Sequence, residues 1–266
     1  MRNGCRSSKG RQSGLVLLFP KLAILTLAIT LLPTIALAGK EPWPQYANIA
    51  PLPGGGIAIN SAGEADGTGA MQINIPVAYT PGWGFINASA YLGDYCNAHD
   101  EPFGNGTGLL GMGFTMGSFN VYGSGMAVSR ITSESKAVNG QIQLVKQTNS
   151  TPALAFGVQD ALEKEPYQRA FYGVATRRFE HNGKPVYGTL GFGSGRFLNR
   201  VFGGVSMPIS KRFNVGAEYD GFQFNIGVGW RPAGREGKLT LLGGYNGKAG
   251  WLAGMGTTIK FSSSRY

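Results

Sequence analysis

Five side chains that could bind a metal ion or act as acids and bases lie close together near residue 98. They are Asp94, Cys96, His99, Asp100 and Glu101, which combine oxygen, sulfur and nitrogen donors. Their spacing matches neither a zinc site nor a calcium-binding EF-hand loop. A solvated polar loop is the simpler interpretation, and we predict no metal and no cofactor for this chain.

The chain has two histidines, His99 and His181. A hydrolase of the triad type needs a histidine held between a serine and an aspartate in fixed geometry. His181 is followed by Asn182-Gly183, a favoured hairpin turn, which is a poor place for a buried base. We therefore predict no catalytic residues and no enzyme activity, and we keep a barrel hydrolase as an alternative.

Residues 1–38 have the layout of a cleaved secretory signal peptide. Basic residues precede an apolar run at 22–37, and small residues Ala36 and Ala38 mark a cleavage site. Cleavage would remove five basic residues and leave 19 against 14 acidic ones, a net charge of +5 instead of +10. This dispersed charge forms no basic cluster of the kind that binds nucleic acid. Cys96 would be the one remaining cysteine.

The segment from Arg212 to Trp230 shows the pattern that organises the rest of the chain. Large apolar residues occupy every second position on both sides of Asp220-Gly221, with polar residues or glycines between them. Because successive strand side chains point to opposite faces, each strand has one apolar face and one polar or bare face. Asp-Gly is a favoured two-residue hairpin turn, so the segment predicts two antiparallel strands.

Up to fourteen such alternating segments can be drawn, beginning with a weak one at 57–59 and a clearer one at 71–79. Their spacing is typical of an all-β sandwich or barrel. Glycine supplies 43 of 266 residues, more than twice the average of about 7%. It suits a barrel whose interior stays open or accepts large side chains from other strands. Short turns alternate with longer polar loops, so we predict a single antiparallel transmembrane β-barrel of about 12 strands (10–14) after the cleaved signal peptide.

The predicted organisation has a proline-rich lead-in, linker-like or plug-like, at 39–54, the β-barrel at 55–261, and a C-terminal tail at 262–266. Polar positions of the alternating segments would face the lumen, where charges tune what passes. The candidate lumen-lining residues are Arg212, Asn214, Glu218, Gln223 and Asn225. We further hypothesise that Glu218 forms cross-strand pairs with nearby arginines.

Five stretches of the second half have an order and spacing that alternation alone does not explain. They are ALAFGVQD (153–160), FYGVATRRF (171–179), GTLGFGSGR (188–196), FGGVSMPIS (202–210) and GAEYDGFQFNIGVGWRP (216–232). Over residues 153–231 the chain resembles the YjbH family of Gram-negative outer-membrane β-barrel proteins. Members of this family are often longer and have two barrels, whereas this chain has room for one.

The resemblance implies a location in the cell outer membrane and a role in exopolysaccharide or capsule secretion. The chain would then be a passive conduit or scaffold, with membrane lipid, polysaccharide and other export proteins as partners. The resemblance supplies no catalytic residue. The alternative is a secreted, soluble β-sandwich that binds glycans, in which a second layer of protein would cover the apolar face instead of lipid.

Overall fold

The computed structural model describes most of the chain after residue 49. The described residues are 50, 52–93, 105–128, 135–162, 169–232, 239–247 and 250–260. The predicted signal peptide at 1–38 and the tail at 262–266 lie outside the described residues. So do most of the 39–54 lead-in and the polar cluster around His99.

Twelve antiparallel strands of the described chain form one sheet that closes on itself. They are β1 (Phe85–Gly93), β2 (Asn105–Met116), β3 (Phe119–Val128), β4 (Ser135–Val145), β5 (Ala153–Gln159), β6 (Ala170–His181), β7 (Lys184–Gly193), β8 (Arg200–Pro208), β9 (Phe213–Tyr219), β10 (Phe224–Trp230), β11 (Leu239–Asn246) and β12 (Gly250–Lys260). Each strand pairs with its neighbours along the chain, and β1 closes the barrel against β12 from Phe85↔Lys260 to Gly93↔Leu252. The predicted 12-strand barrel is confirmed, and the two-sheet sandwich is wrong for the described strands.

Side chains alternate between the two faces of the wall. On β10, Phe224, Ile226 and Val228 are 60%, 57% and 44% exposed, whereas the intervening Asn225 is 1% exposed. This alternation places large apolar groups outside and amides or glycines inside. The period of two that the sequence shows is therefore the inside–outside period of the barrel wall.

Interior glycines make room for large aromatic side chains from neighbouring strands. Tyr172 lies across Gly157, where a Cβ atom would come within 2.1 Å of the tyrosine hydroxyl. Phe202 lies in the same way across Gly191, at 2.2 Å. Both aromatic rings are buried. Of the two uses of glycine that the composition allows, accepting large side chains is therefore the one realised at these two positions.

Gly157→Ala should destabilise the barrel by about 1–3 kcal/mol, the usual cost of overpacking. The new methyl group would displace Tyr172 and break the 2.9 Å hydrogen bond that its hydroxyl donates to Gln141 Oε1. Gly173→Ala is the matched control on β6, because a Cβ atom there meets nothing within 4 Å. Equilibrium unfolding in urea measures both, and equal stability of the two variants would contradict the packing role of Gly157.

The segment before β1 runs inside the barrel instead of contributing strands to the wall. The barrel begins at Phe85, so the strands expected at 57–59 and 71–79 are wrong, and the structure differs from a barrel spanning 55–261. Residues on both sides of the alternation are buried there, with Ile73 1% and Asn74 0% exposed. A segment surrounded on all sides satisfies its backbone through side chains of the wall, and its apolar residues need no lipid. We call Ala50 and residues 52–84 the plug.

The connection between β9 and β10 is longer than the expected two-residue turn. It spans residues 220–223, and the Asp220 N–H donates to the Gln223 carbonyl at 3.1 Å. Asp220 Oδ1 also accepts the backbone N–H of Gln223 at 3.0 Å. Gly221 has a φ of 101°, a conformation that favours glycine. Among the described residues the helical structure is one 3-10 turn at Gly195–Phe197, and none of them forms a helix long and apolar enough to cross a membrane.

Candidate functional site in the plugged lumen

The plug passes along the lumen between the two ends of the barrel. We call the end at which β1 begins and β12 ends the turn end, and the opposite end the loop end. At the turn end, Asn214 Nδ2 donates to the Gly69 carbonyl at 2.7 Å. Asn74 lies at the loop end, where its side-chain amide reaches Asp220. Thr80 is back near the turn end, and its carbonyl accepts from Asn120 Nδ2 at 3.0 Å.

The side chain of Glu218 binds backbone N–H groups of the plug. Its Oε2 atom accepts the N–H of Ile73 at 2.8 Å, and its Oε1 atom accepts the N–H of Asn74 at 2.6 Å. Asn225 Nδ2 donates to Oε1 as well, at 3.0 Å. One side chain of the wall thus binds two successive peptide N–H groups of the plug.

A second set of contacts surrounds Asn74 at the loop end. Its Nδ2 donates to Asp220 Oδ2 at 2.9 Å, and Asn225 Nδ2 donates to the same oxygen at 2.9 Å. Arg196 Nη2 donates to the Asn74 carbonyl at 2.6 Å, and its Nη1 donates to Gln159 Oε1 at 3.1 Å. Arg196 is 1% exposed and its guanidinium lies 4.7 Å from the centre of the Phe197 ring. Asn74 thus links the plug both to Asp220 in the β9–β10 connection and to Arg196 in the β7–β8 connection.

Neutral side chains of β4 and β6 hold the returning arm of the plug. Gln141 Nε2 donates to the Val77 carbonyl at 2.9 Å, and Thr176 Oγ1 accepts the Ala78 N–H at 2.9 Å. On β7, Tyr187 donates its hydroxyl to the Thr68 carbonyl at 2.5 Å. These wall side chains therefore bind peptide groups, which almost any residue type presents, and Gln141 Nε2 also donates to the Thr80 hydroxyl of the plug at 2.7 Å.

Little space remains between plug and wall at two places where cavities occur. One is lined by Met71 and Gly229, the other by Ile57 and Tyr122, and each offers about 10 Å³. That is room for about one water molecule. Each of these two cavities between plug and wall is therefore too small for a sugar or another solute of that size.

Asp220 and Asp66 are two of the acidic groups outside the strands whose pKa values are shifted. Burial raises the pKa of Asp220 above its ordinary value, and the nearby guanidinium of Arg196 offsets part of this effect. For Asp66, in the plug, burial alone would raise the pKa, but hydrogen bonds from Thr68 and Asn60 lower it overall. Asp66 thus stays ionised and shapes the plug's bend at the turn end.

The structure places the five candidate lumen residues in different surroundings. Asn214, Glu218 and Asn225 lie on the inner wall, and Gln223 is buried in the β9–β10 connection. Arg212 is exposed in the β8–β9 turn. Whether this set lines a path for cargo stays a prediction.

The expected pairing of Glu218 with arginines is wrong. Its described partners are two peptide N–H groups and one asparagine amide. Asn74, Thr176 and Gln141 make many of the plug contacts and were not among the residues predicted from the sequence. The available signal was the density of proline and glycine around 51–56 and 76–82, because proline removes a donor that a central strand needs.

Of the two histidines considered as catalytic candidates, His181 lies within the described residues. His181 is exposed at the end of β6, beside the Asn182-Gly183 turn. His99 and the cluster around it fall outside the described residues. Within the described ranges, no group of three acidic, histidine or cysteine side chains is arranged to hold a metal ion.

Comparison with known proteins gives matches among solved structures. No family model and no curated protein matches this chain. Among solved structures it is similar to a KdgM porin, with 11% identity, a TM-score of 0.46, and coverage of 67% of this chain and 99% of the porin. It is also similar to an outer membrane channel from Pseudomonas putida F1, with 11% identity, a TM-score of 0.37, and coverage of 70% of this chain and 97% of the channel. For Pseudomonas putida OprB the identity is 10%, the TM-score is 0.30, and the coverage is 67% of this chain and 93% of OprB. The barrel assignment rests on the strand pairing of the chain itself.

Proposed function

We propose that this protein is a transmembrane β-barrel of the outer membrane. The supporting observation is the outward apolar belt of a closed barrel. Each strand from β2 to β12 carries at least one large apolar side chain that is more than a third exposed. Soluble monomers rarely expose apolar patches above a few hundred Å². A belt that runs around the wall is what a lipid environment requires.

The direction of the barrel is inferred from the lengths of its connections. The five connections at the turn end have 2 to 8 residues and average about 5, whereas the six at the loop end have 3 to 11 residues and average about 7. Outer-membrane barrels keep short turns on the periplasmic side and longer loops outside. The turn end therefore faces the periplasm in this proposal.

The inner wall suits a neutral, hydroxyl-rich cargo. It presents many buried amide, hydroxyl and phenol groups, including Asn120, Gln141, Gln143, Tyr172 and Tyr187. In the described state four of these residues bind peptide groups of the plug, and Tyr172 donates its hydroxyl to Gln141. They would be free to bind hydroxyl or acetamido groups if the plug moved. We propose that the protein is a conduit for an exported polysaccharide and that the plug keeps it closed at rest.

The resemblance of residues 153–231 to YjbH-like proteins is the further support for exopolysaccharide as the cargo, and it stays a prediction. A second candidate role is favoured by the completeness of the plug. If the plug never moves, the barrel is a scaffold that holds export proteins at the membrane. The two roles differ in one measurable property, which is ion conductance after the plug is loosened.

Membrane insertion predicts a gel-migration shift on heating. The protein should sediment with outer membranes, and the unheated sample should migrate faster in detergent gels than the boiled one. The reason is that a closed barrel keeps its backbone hydrogen bonds in detergent. A mature chain that stays soluble without detergent and migrates identically before and after boiling would reject the membrane assignment.

The polysaccharide role needs a separate test. Deleting the gene should reduce surface polysaccharide, and a plasmid copy of the intact chain should restore it. Unchanged export in a strain that lacks the protein would reject this cargo while leaving the barrel and its membrane location intact.

A further inference from the structure

An apolar hollow of about 710 Å³ opens on the outer face of the barrel. Its lining comes from β7 to β12 and includes Val205, Val215, Ala217, Val228 and Gly243. Tyr245 and Trp251 border it, with their ring centres 5.3 Å apart. The volume lies within the range of about 300–1,000 Å³ that is usual for ligand pockets. We call this feature the outer hollow.

Small residues on both faces of the wall explain the outer hollow. Its lining reaches the backbone of Gly216, Gly227 and Gly244, which face the lumen. From inside, Ile73 presses on this same wall, since a Cβ atom at Gly227 would lie 2.7 Å from Ile73 Cδ1. Here only the glycine backbone of the wall separates the outer hollow from the plug. The shape of the outer hollow therefore depends on the packing of wall and plug together.

Two exposed lysines stand at the turn end of the same strands. Val186 and Met207 line the outer hollow. Lys184, the first residue of β7, lies two residues before Val186, and Lys211 lies four residues after Met207. Consecutive Cα atoms are about 3.8 Å apart, so the Lys184 Cα lies within about 8 Å of that of Val186 and the Lys211 Cα within about 15 Å of that of Met207. Both lysines therefore lie at the turn end of the outer hollow. Within the described part of the chain, no carboxylate pairs with either lysine.

We propose that the outer hollow binds one anionic phospholipid, with an acyl chain against Val215, Ala217 and Val228 and the phosphate between Lys184 and Lys211. This inference rests on the proposed insertion into a membrane. A second copy of the chain fits less well, because a two-fold contact between identical faces would bring the lysines of both copies together. Their like charges would repel, whereas a phosphate is attracted by both.

The test uses the full-length mature protein, purified in a neutral detergent and titrated with phosphatidylglycerol or phosphatidylcholine in native mass spectrometry. Each basic residue near an anionic headgroup is worth about fivefold in affinity. The double variant Lys184→Gln/Lys211→Gln should therefore bind phosphatidylglycerol about 25-fold more weakly and phosphatidylcholine unchanged. Lys136→Gln is the control, since Lys136 is an exposed lysine on β4.

A second variant tests the apolar part of the outer hollow. Ala217→Phe fills it and should weaken both lipids, whereas Gly125→Phe on the opposite side of the barrel should weaken neither. At Gly125 a Cβ atom meets nothing within 4 Å. The proposal is overturned if Lys184→Gln/Lys211→Gln or Ala217→Phe binds phosphatidylglycerol as tightly as the wild type. It is also overturned if the wild type is a dimer and Ala217→Phe makes it a monomer. Each sample is first checked for heat-modifiable migration, so that failure of the membrane assignment is seen separately from failure of the lipid site.

Discussion

Glu218→Ala is expected to release the plug and to turn a closed barrel into a conducting one. The substitution leaves the N–H groups of Ile73 and Asn74 without their acceptor. A buried donor without a partner costs about 1–3 kcal/mol. Two such donors weaken docking of the plug by about 2–6 kcal/mol, which raises the open population roughly thirtyfold or more.

Planar-bilayer recordings measure this release directly. The wild type should be silent or open rarely, and Glu218→Ala should give frequent openings. Hydrogen exchange at residues 70–78 should rise in parallel, because exchange follows local opening. Asn246→Ala is the matched control: Asn246 is buried at the end of β11, and neither of its amide atoms has a hydrogen-bond partner in the structure. It removes a buried wall amide without removing a plug contact.

Glu218→Gln distinguishes loss of the Glu218–plug hydrogen bonds from loss of the fold. It keeps the shape of the side chain and one acceptor oxygen, so we expect an opening frequency between those of the wild type and Glu218→Ala. Both variants must still show heat-modifiable migration. If correctly assembled Glu218→Ala protein stays as closed as the wild type and its plug exchanges no faster, the plug is a fixed part of the barrel. The scaffold role is then the better proposal.

The wall of the barrel is predictable from sequence because its signal is local. Lipid or water lies on one side of each strand and the lumen on the other, so side-chain type alternates with the period of the backbone. All twelve strands correspond to alternating segments, and Phe224 to Trp230 on β10 is the clearest of them. The count of fourteen exceeded twelve because alternation at 57–59 and 71–79 has a different physical origin.

The plug is hard to predict because the contacts that fix it are distant in sequence. Ile73 and Glu218 are 145 residues apart, and the bond joins a peptide group to a side chain. Every residue type except proline has a peptide N–H, so the sequence of the plug does not indicate which wall residue this group binds. For Glu218 the sequence indicated the inner face, which is where it lies, but not the group that it binds.

Leu190→Arg should destabilise the inserted barrel by about 2–4 kcal/mol, the cost of an arginine at the middle of the bilayer. Leu190 is 60% exposed on the outer face and pairs with Ala175 and Gly203 in the middle of β6 and β8. In water, an arginine at so exposed a position changes stability by about 0.5 kcal/mol or less. The large expected cost therefore arises from hydrocarbon around this side chain.

Leu144→Arg is the matched control, because it makes the same chemical change near the turn end of β4. Leu144 is 51% exposed and lies one residue before the end of its strand. Near the membrane interface an arginine costs only about 0–1 kcal/mol. Urea unfolding from lipid vesicles should therefore separate the two variants by at least 1 kcal/mol. If both arginines cost equally little, the belt faces water, and membrane location, conduit and lipid site all fail together.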